Sequence, residues 1–165
     1  AILKGIGAEH VVDSSKENFL EDLRAAIAAT NATMAFDAIG GGKLVSQIMT
    51  AIEQVANSGS AYNRYGSNAP KHAFIYGALD LSPTILTRNF GFVWDISGWL
   101  LLPWMGKLGP EIAEKMRRRV LAELTTTFAS HYKARVTLEQ ALGRDAALDY
   151  NARRTGEKYL ITPNG

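Results

Sequence analysis

MAFDAIGGG, residues 34–42, is the stretch from which the fold class follows. Residues 34–39 are short and apolar enough to predict a strand that is buried on both faces, and the three glycines end it. The residues that follow, 43–56, carry apolar side chains at the helical period and predict a helix. A strand, a glycine turn and a helix in direct succession indicate one βα unit of a parallel sheet.

Similar units flank this stretch and extend the pattern along the chain. Ser14 and Glu17 have the spacing of a capping box, and Ser82 before Pro83 resembles the start of a short helix. Pro103 is expected to end a strand. In the tail, Thr137 and Gln140 form a second capping-box pair. The other predicted strands are 10–13, 73–78, 95–102, 135–138 and 158–162, and the other predicted helices are 16–29, 82–88, 110–132 and 145–154.

Composition excludes several classes of protein. The chain has 165 residues with 18 basic and 16 acidic side chains, and its net charge of +2 is too small to favour a nucleic-acid partner. The absence of cysteine excludes disulfides, thiolate zinc sites and cysteine nucleophiles within these residues. No apolar stretch reaches the 20 or so residues of a membrane helix. We therefore expect a soluble, cytoplasmic protein with no membrane partner.

The candidate site follows from the topology. Ligands of open parallel sheets lie beyond the carboxyl ends of the strands, which nominates the loops 39–42, 76–79 and 97–100. Gly40-Gly41-Gly42 could let a ligand approach the backbone, or could be a tight turn, and both interpretations stay open here. Histidine spacing predicts no metal site, and no side chain stands out as catalytic. Arg153 and Arg154 could meet a phosphate or cap a helix.

Five short motifs, in order, resemble the medium-chain dehydrogenases and reductases. Within that superfamily they are most similar to the zinc-independent quinone and enoyl reductases, which are often named zinc-binding or alcohol dehydrogenases by homology. The dinucleotide fingerprint G-x-G-x-x-G is absent, since Gly5-Ile6-Gly7 lacks the third glycine. The motifs are GAEHVVD at 7–13, FDAIGG at 36–41, YGAL at 76–79, ISGWL at 96–100 and GEKYL at 156–160.

The resemblance implies a partial Rossmann fold, a doubly wound parallel sheet in a three-layer αβα arrangement that lacks its first two strands. Residues 1–132 would be the carboxyl-terminal part of the NAD(P)-binding domain, and 133–165 a tail that returns to a GroES-like catalytic domain. The chain would then be a segment of a longer enzyme, inactive alone.

The family also implies a cofactor, NADP or NAD with NADP favoured, and no zinc in this segment. The chemistry implied is hydride transfer to or from a carbonyl or conjugated double bond of a small molecule. Arg153 and Arg154 match a region that approaches the cofactor phosphates in relatives. The positions that would contact the cofactor are Ile39, Gly40, Gly41, Gly42, Tyr76, Gly77, Ala78, Leu79, Ser97, Gly98, Trp99 and Leu100.

The resemblance further implies a homodimer that pairs the strand Ile96 to Leu102 across a two-fold axis, or else completion by the missing amino-terminal part of the enzyme. Two other hypotheses remain at this point. One is a non-catalytic Rossmann-like module for oligomerisation or binding, favoured by the absent fingerprint. The other is a different nucleotide-site enzyme such as a methyltransferase, which the tail after Lys133 argues against.

Overall fold

The computed structural model describes residues 2–129, 131–152 and 158–164. The chain divides into two compact units, Ala1–Trp104 and Met105–Gly165. The helices are α1 Ile2–Gly5, α2 Phe19–Thr30, α3 Leu44–Ala56, α4 Leu101–Leu108, α5 Pro110–Ala122, α6 Leu138–Leu142 and α7 Arg144–Asn151. The strands are β1 Met34–Asp37, β2 Gly40–Gly42, β3 Lys71–Ile75, β4 Asp80–Thr84, β5 Trp94–Gly98, β6 Tyr132–Val136 and β7 Lys158–Ile161.

The first unit is built on a parallel sheet with the strand order β1-β3-β5. Met34 pairs with His72, and His72 in turn pairs with Asp95. Because these parallel strands are joined through helix α3 and long connections, the predicted α/β class is confirmed. The sheet also aligns the three strand ends that carry the candidate loops.

One face of this sheet holds the core. Val45 and Met49 of α3 pack with Ala73 and Phe90, and the partly buried side chains of Ile75, Trp94 and Ile96 lie against them. Helix α2 packs on α3 through a second cluster, formed by Ile27, Ala51 and Ile52. The other face carries Phe36, Phe74 and Trp104, with Trp104 packed edge-on against Phe74 at 6.2 Å between ring centroids.

Residues 10–13 form no strand, so that prediction is wrong. Within the described residues the outer edge of β1 is free, and an extended segment needs a neighbour to satisfy its backbone groups. The capping box at Ser14 is also wrong. Helix α2 begins at Phe19 after Asn18, since Ser15 instead donates its backbone N–H and hydroxyl to the carboxylate of Asp13.

The predicted helix at 82–88 is wrong as well, because residues 80–84 form β4 and pair with β2. The carboxylate of Asp80 accepts the Ser82 N–H at 2.8 Å, and Thr84 Oγ1 donates to the Gly40 carbonyl at 2.6 Å. These bonds hold the segment extended beside the glycines. Pro83 is tolerated there because β4 is an edge strand.

Several element boundaries also differ from those predicted. The first sheet strand stops at Asp37 and the second spans 71–75, while the third ends at Gly98. Pro103 lies in the first turn of α4, where a helix does not need its missing N–H, and therefore ends no strand. The predicted helix 110–132 stops at Ala122, because three threonines follow at 125–127, and their β-branched side chains disfavour helix.

The second unit contains a parallel pair of strands, β6 and β7. The capping box at the start of α6 is confirmed: Gln140 N donates to Thr137 Oγ1 at 3.2 Å, and Thr137 N donates to Gln140 Oε1 at 2.9 Å. The Tyr150 hydroxyl ties α7 to α6 through the Ala141 carbonyl. The end of the predicted helix 145–154 lies outside the described residues.

Candidate functional site

The first candidate loop is shaped by a buried carboxylate at the end of β1. Asp37 is 3% exposed, and its two carboxylate oxygens accept the backbone N–H groups of Ile39 at 2.8 Å and Gly40 at 3.1 Å. An aspartate that binds the backbone two and three residues ahead makes the chain turn. The strand therefore ends two residues earlier than predicted, and the loop leaves the sheet in a fixed direction.

The glycines of this loop pack against the second candidate loop. Gly40 has φ +85°, and a Cβ there would lie 2.7 Å from the Gly77 carbonyl oxygen. A Cβ on Gly77 would lie 2.2 Å from the Ala38 carbonyl oxygen. Gly41 is enclosed by Asp80 and Ser82 in the same way. Of the two interpretations of these glycines, the tight turn with close backbone packing is therefore the one seen for Gly40 and Gly41, and both residues are buried.

Backbone hydrogen bonds join all three loops into one edge. Tyr76 N donates to the Asp37 carbonyl at 2.9 Å, and Asp80 N donates to the Ile39 carbonyl at 2.9 Å. Trp99 N donates to the Ile75 carbonyl at 2.8 Å. The rings of Tyr76 and Trp99 meet edge-on, with centroids 6.3 Å apart. The structure thus brings together 39–42, 76–79 and 97–100, as expected for the carboxyl ends of parallel strands.

This edge leaves several donors open. Within the described residues, the backbone N–H groups of Gly77, Ala78 and Leu100 have no hydrogen-bond partner. A Cβ on Gly98 would meet nothing within 4 Å, so the space above this residue is free. Exposed side chains line the same edge, namely those of Ile39, Tyr76, Ala78, Leu79, Ser97 and Leu100.

A second carboxylate lies at this edge and was not nominated from the sequence. The backbone N–H and side-chain hydroxyl of Ser82 hold the pKa of Asp80 below its usual value, so the group is ionised at neutral pH. The spacing Asp80-x-Ser82 is typical of an aspartate turn and is a signal for the turn itself, whereas the position of Asp80 beside Gly41 follows only from the pairing of β2 with β4. Asp37 gives a similar sequence signal for a turn, because an aspartate three residues before a glycine is a common turn pattern.

Aromatic side chains extend from this edge over the exposed face of the sheet. Phe36 stacks on Phe74 at 5.2 Å and meets Trp99 edge-on at 6.3 Å. Phe36 is nevertheless 57% exposed. The sequence did not reveal this cluster, because its members come from β1, from β3 and from the residue that follows β5, and only the register places them side by side.

The chemistry available here is binding and orientation. The described residues contain no group of three histidine, aspartate or glutamate side chains that could hold a metal ion. Arg153 and Arg154, the two weak phosphate candidates, lie outside the described residues. None of the described helices is long and apolar enough to cross a bilayer.

The comparisons with known proteins address the fold. No protein-family model matches the chain, and no curated protein matches it. Among solved structures, it is similar to a crystallised Mesorhizobium loti protein provisionally named an NADPH:quinone reductase, with a TM-score of 0.66 and 24% sequence identity. The match covers 98% of this chain and 42% of that protein, so the chain spans less than half its length. The chain therefore has a partial Rossmann-like α/β fold.

Proposed function

We propose that this chain forms the nicotinamide-facing part of an NAD(P)-dependent oxidoreductase of the medium-chain dehydrogenase and reductase type, related to quinone and enoyl reductases or alcohol dehydrogenases. The observation that carries the proposal is the convergence of three strand-end loops with unpaired N–H groups at Gly77, Ala78 and Leu100. Likeness of fold to a protein named an NADPH:quinone reductase supports it. All twelve loop residues from Ile39 to Leu100 named above remain the proposed contacts.

The unpaired backbone N–H groups fit the nicotinamide riboside half of a dinucleotide, which carries carboxamide and ribose oxygens. The N–H groups of Gly77 and Ala78 would donate to carboxamide or ribose oxygens, and the Tyr76 and Trp99 rings would bound a flat heterocycle on one side. The ionised Asp80 would repel a pyrophosphate but could accept hydrogen bonds from sugar hydroxyls. The edge thus suits the nicotinamide riboside half better than the phosphates.

The role of this chain in the reaction is positional. A bound nicotinamide cofactor would supply the hydride that adds to a carbonyl or conjugated double bond. Rigid backbone donors would hold the ring in one orientation, and the aromatic side chains would exclude water from one side of it. The proton donor and most of the substrate contacts would come from elsewhere in the longer enzyme to which we propose the chain belongs, with 133–165 as the tail that returns to the catalytic domain.

The test is a titration of the purified chain with NADPH and NADH, after its intact mass has been measured under denaturing conditions. Gly98→Val should weaken cofactor binding by about tenfold, because its side chain fills the open space above the edge. Gly106→Val is the matched control, since a Cβ there also meets nothing within 4 Å. Equal binding by both variants would contradict cofactor binding at this edge, and no binding by a chain of 18.0 kDa would contradict cofactor binding by this polypeptide.

A non-catalytic binding or oligomerisation module is the second candidate function. Met34 and Phe36 are 52% and 57% exposed on the open face of the sheet, and apolar surface of this kind is typical of interfaces. Within the described residues the outer edge of β5 is also free, which leaves room for two copies to pair along 94–98. The strand predicted to pair, Ile96 to Leu102, lies in β5 only as far as Gly98, and its last two residues begin α4. Sedimentation equilibrium separates the candidates: a dimer that Gly98→Pro dissociates, without NADPH binding, would favour the module, because the N–H of residue 98 faces the free edge of β5.

A further inference from the structure

A buried charge pair fixes the long connection between α3 and β3. The ammonium group of Lys71 lies 2.7 Å from Glu53 Oε2, and Lys71 is completely buried. Ser67 donates its N–H and its hydroxyl to the two oxygens of the same carboxylate, at 2.7 and 2.6 Å. Asn57 Nδ2 donates to it at 2.6 Å. Residues 57–70 are therefore held in one conformation although they contain no helix or strand.

A second segment, residues 88–92, is packed against this loop. A Cβ on Gly66 would lie 2.4 Å from Glu53 Oε1 and 2.5 Å from the Gly91 Cα, so only glycine fits where the two backbones cross. The rings of Tyr65 and Phe92 also meet edge-on at 6.2 Å. The two segments consequently form the walls of one rigid surface cleft.

This cleft, of about 750 Å³, opens at the edge of the sheet opposite the candidate cofactor loops. The loop 57–70 precedes β3 and the segment 88–92 precedes β5, so both lie at the amino ends of parallel strands. Its polar and aromatic lining comes mainly from Asn57, Tyr62, Asn63, Arg64, Arg88 and Asn89. It is thus separate from the edge proposed to bind the nicotinamide.

The cleft carries an uncompensated positive charge. Among the described residues, neither Arg64 nor Arg88 forms an ion pair. Glu53 also lines the cleft, but its charge is balanced by Lys71. The carboxyl end of α3 adds roughly half a negative charge, which leaves the two guanidinium groups in excess.

Two amide groups add further donors. Asn63 uses Oδ1 to accept the Tyr65 N–H at 2.9 Å, and Asn89 uses Oδ1 to accept a short hydrogen bond from Thr50. Within the described part of the chain, the Nδ2 groups of Asn63 and Asn89 have no acceptor. The free groups of the cleft are therefore donors, and donors without acceptors fit an anion.

Arg88 is held in an unfavourable backbone conformation. Its φ is +49°, which a residue with a long side chain rarely adopts. The residues on either side are bonded to α3: Thr87 N donates to Ser46 Oγ at 3.0 Å, and Asn89 contacts Thr50. Strain that neighbouring bonds maintain is typical of binding sites, and here it places an arginine at the cleft.

We propose that this cleft is a second ligand site and binds a small oxyanion, either a phosphate ester or a carboxylate. The guanidinium groups of Arg64 and Arg88 would hold the oxygens, and the free amide groups of Asn63 and Asn89 would fix their orientation. The rings of Tyr62 and Phe92 would contact the remainder of the ligand.

The experiment is a calorimetric titration of the full chain with inorganic phosphate and, separately, with citrate, at low ionic strength because salt screens such contacts. We expect saturable binding of at least one anion, weakened by about tenfold in Arg64→Gln/Arg88→Gln. The matched control is Arg117→Gln/Arg118→Gln, which removes two exposed guanidinium groups from α5 and should change binding by less than about twofold.

The two titrations distinguish the possible ligands. Binding of phosphate but not of citrate indicates a phosphate ester, and binding of citrate but not of phosphate indicates a carboxylate. Thermal unfolding checks that each variant is folded; if the double variant is not, Asn63→Ala and Arg64→Gln should each weaken binding by about threefold. Two results would overturn the proposal: no saturable binding of either anion up to about 10 mM, or equal binding by the cleft and control variants.

Discussion

The ammonium group of Lys71 lies 2.7 Å from the carboxylate of Glu53, and this pair links the first residue of β3 to the last turns of α3. Both groups are buried, and each makes further hydrogen bonds to the loop 57–70. A buried pair of this kind is expensive to break, because the remaining partner is left charged without water. It is therefore the contact on which the arrangement of helix, loop and sheet most depends.

Glu53→Gln should destabilise the chain by about 3–5 kcal/mol, since it leaves the buried Lys71 without a counter-charge. The measurement is chemical unfolding. Glu114→Gln is the control, because Glu114 pairs with Arg118 at the surface and its loss should cost below about 1 kcal/mol. In a double-mutant cycle with Lys71→Met, the combined loss should be smaller than the sum of the single losses. Equal losses for the buried and surface glutamates would be inconsistent with the buried pair.

Stability should also fall in acid through Glu53. Burial acts to raise the pKa of this carboxyl, but the hydrogen bonds from Lys71 and Ser67 outweigh it and hold the pKa below the usual 4.5. The unfolded chain therefore takes up the proton first, and stability present above about pH 4.5 is lost as the pH falls further. Melting temperatures between pH 3 and 6 should decline less steeply in Glu53→Gln. An unchanged slope would exclude this carboxyl as a contributor.

Gly77→Ala should destabilise the first unit by about 3 kcal/mol, because the new Cβ would lie 2.2 Å from the Ala38 carbonyl oxygen and would separate the two loops. Gly98→Ala places the same methyl group in open space at the end of β5 and should change stability by below about 0.5 kcal/mol. Thermal unfolding of both variants checks the close packing of the loops 38–42 and 77–82. Similar melting temperatures for the two would show that these backbones are not in contact.

The two methionines of the sheet region should respond differently to the same substitution. Met49 is fully buried between α3 and the sheet, and Met49→Ala should cost about 2–5 kcal/mol. Met34 is 52% exposed on the opposite face, and Met34→Ala should cost below about 1 kcal/mol. Chemical unfolding measures both. A large loss from Met34→Ala, growing with protein concentration, would instead indicate that a second copy covers this face.

The periodic and local signals of the sequence were sufficient for the α/β class. The apolar run 34–39 and the helical pattern after residue 43 predicted β1 and α3, and the Thr137 and Gln140 spacing predicted the start of α6. These features depend on residues that are near one another in the chain, so they can be predicted without knowledge of the tertiary structure. The positions of the candidate loops followed in turn, because strand ends in a parallel sheet share an edge.

Partner segments decided what the sequence missed. Residues 10–13 have the composition of a strand but no neighbour to pair with among the described residues, whereas 80–84 form a strand because the backbone of Gly40–Gly42 lies beside them. The aromatic cluster, the unpaired N–H groups at 77, 78 and 100, and the cleft around Arg88 also need contacts between distant segments. The sequence alone determined the α/β class, several of its elements and the edge at which the sheet strands end. Only the tertiary structure decided which polar groups are satisfied there and which are left free for a ligand, because each hydrogen bond depends on the approach of two chain segments.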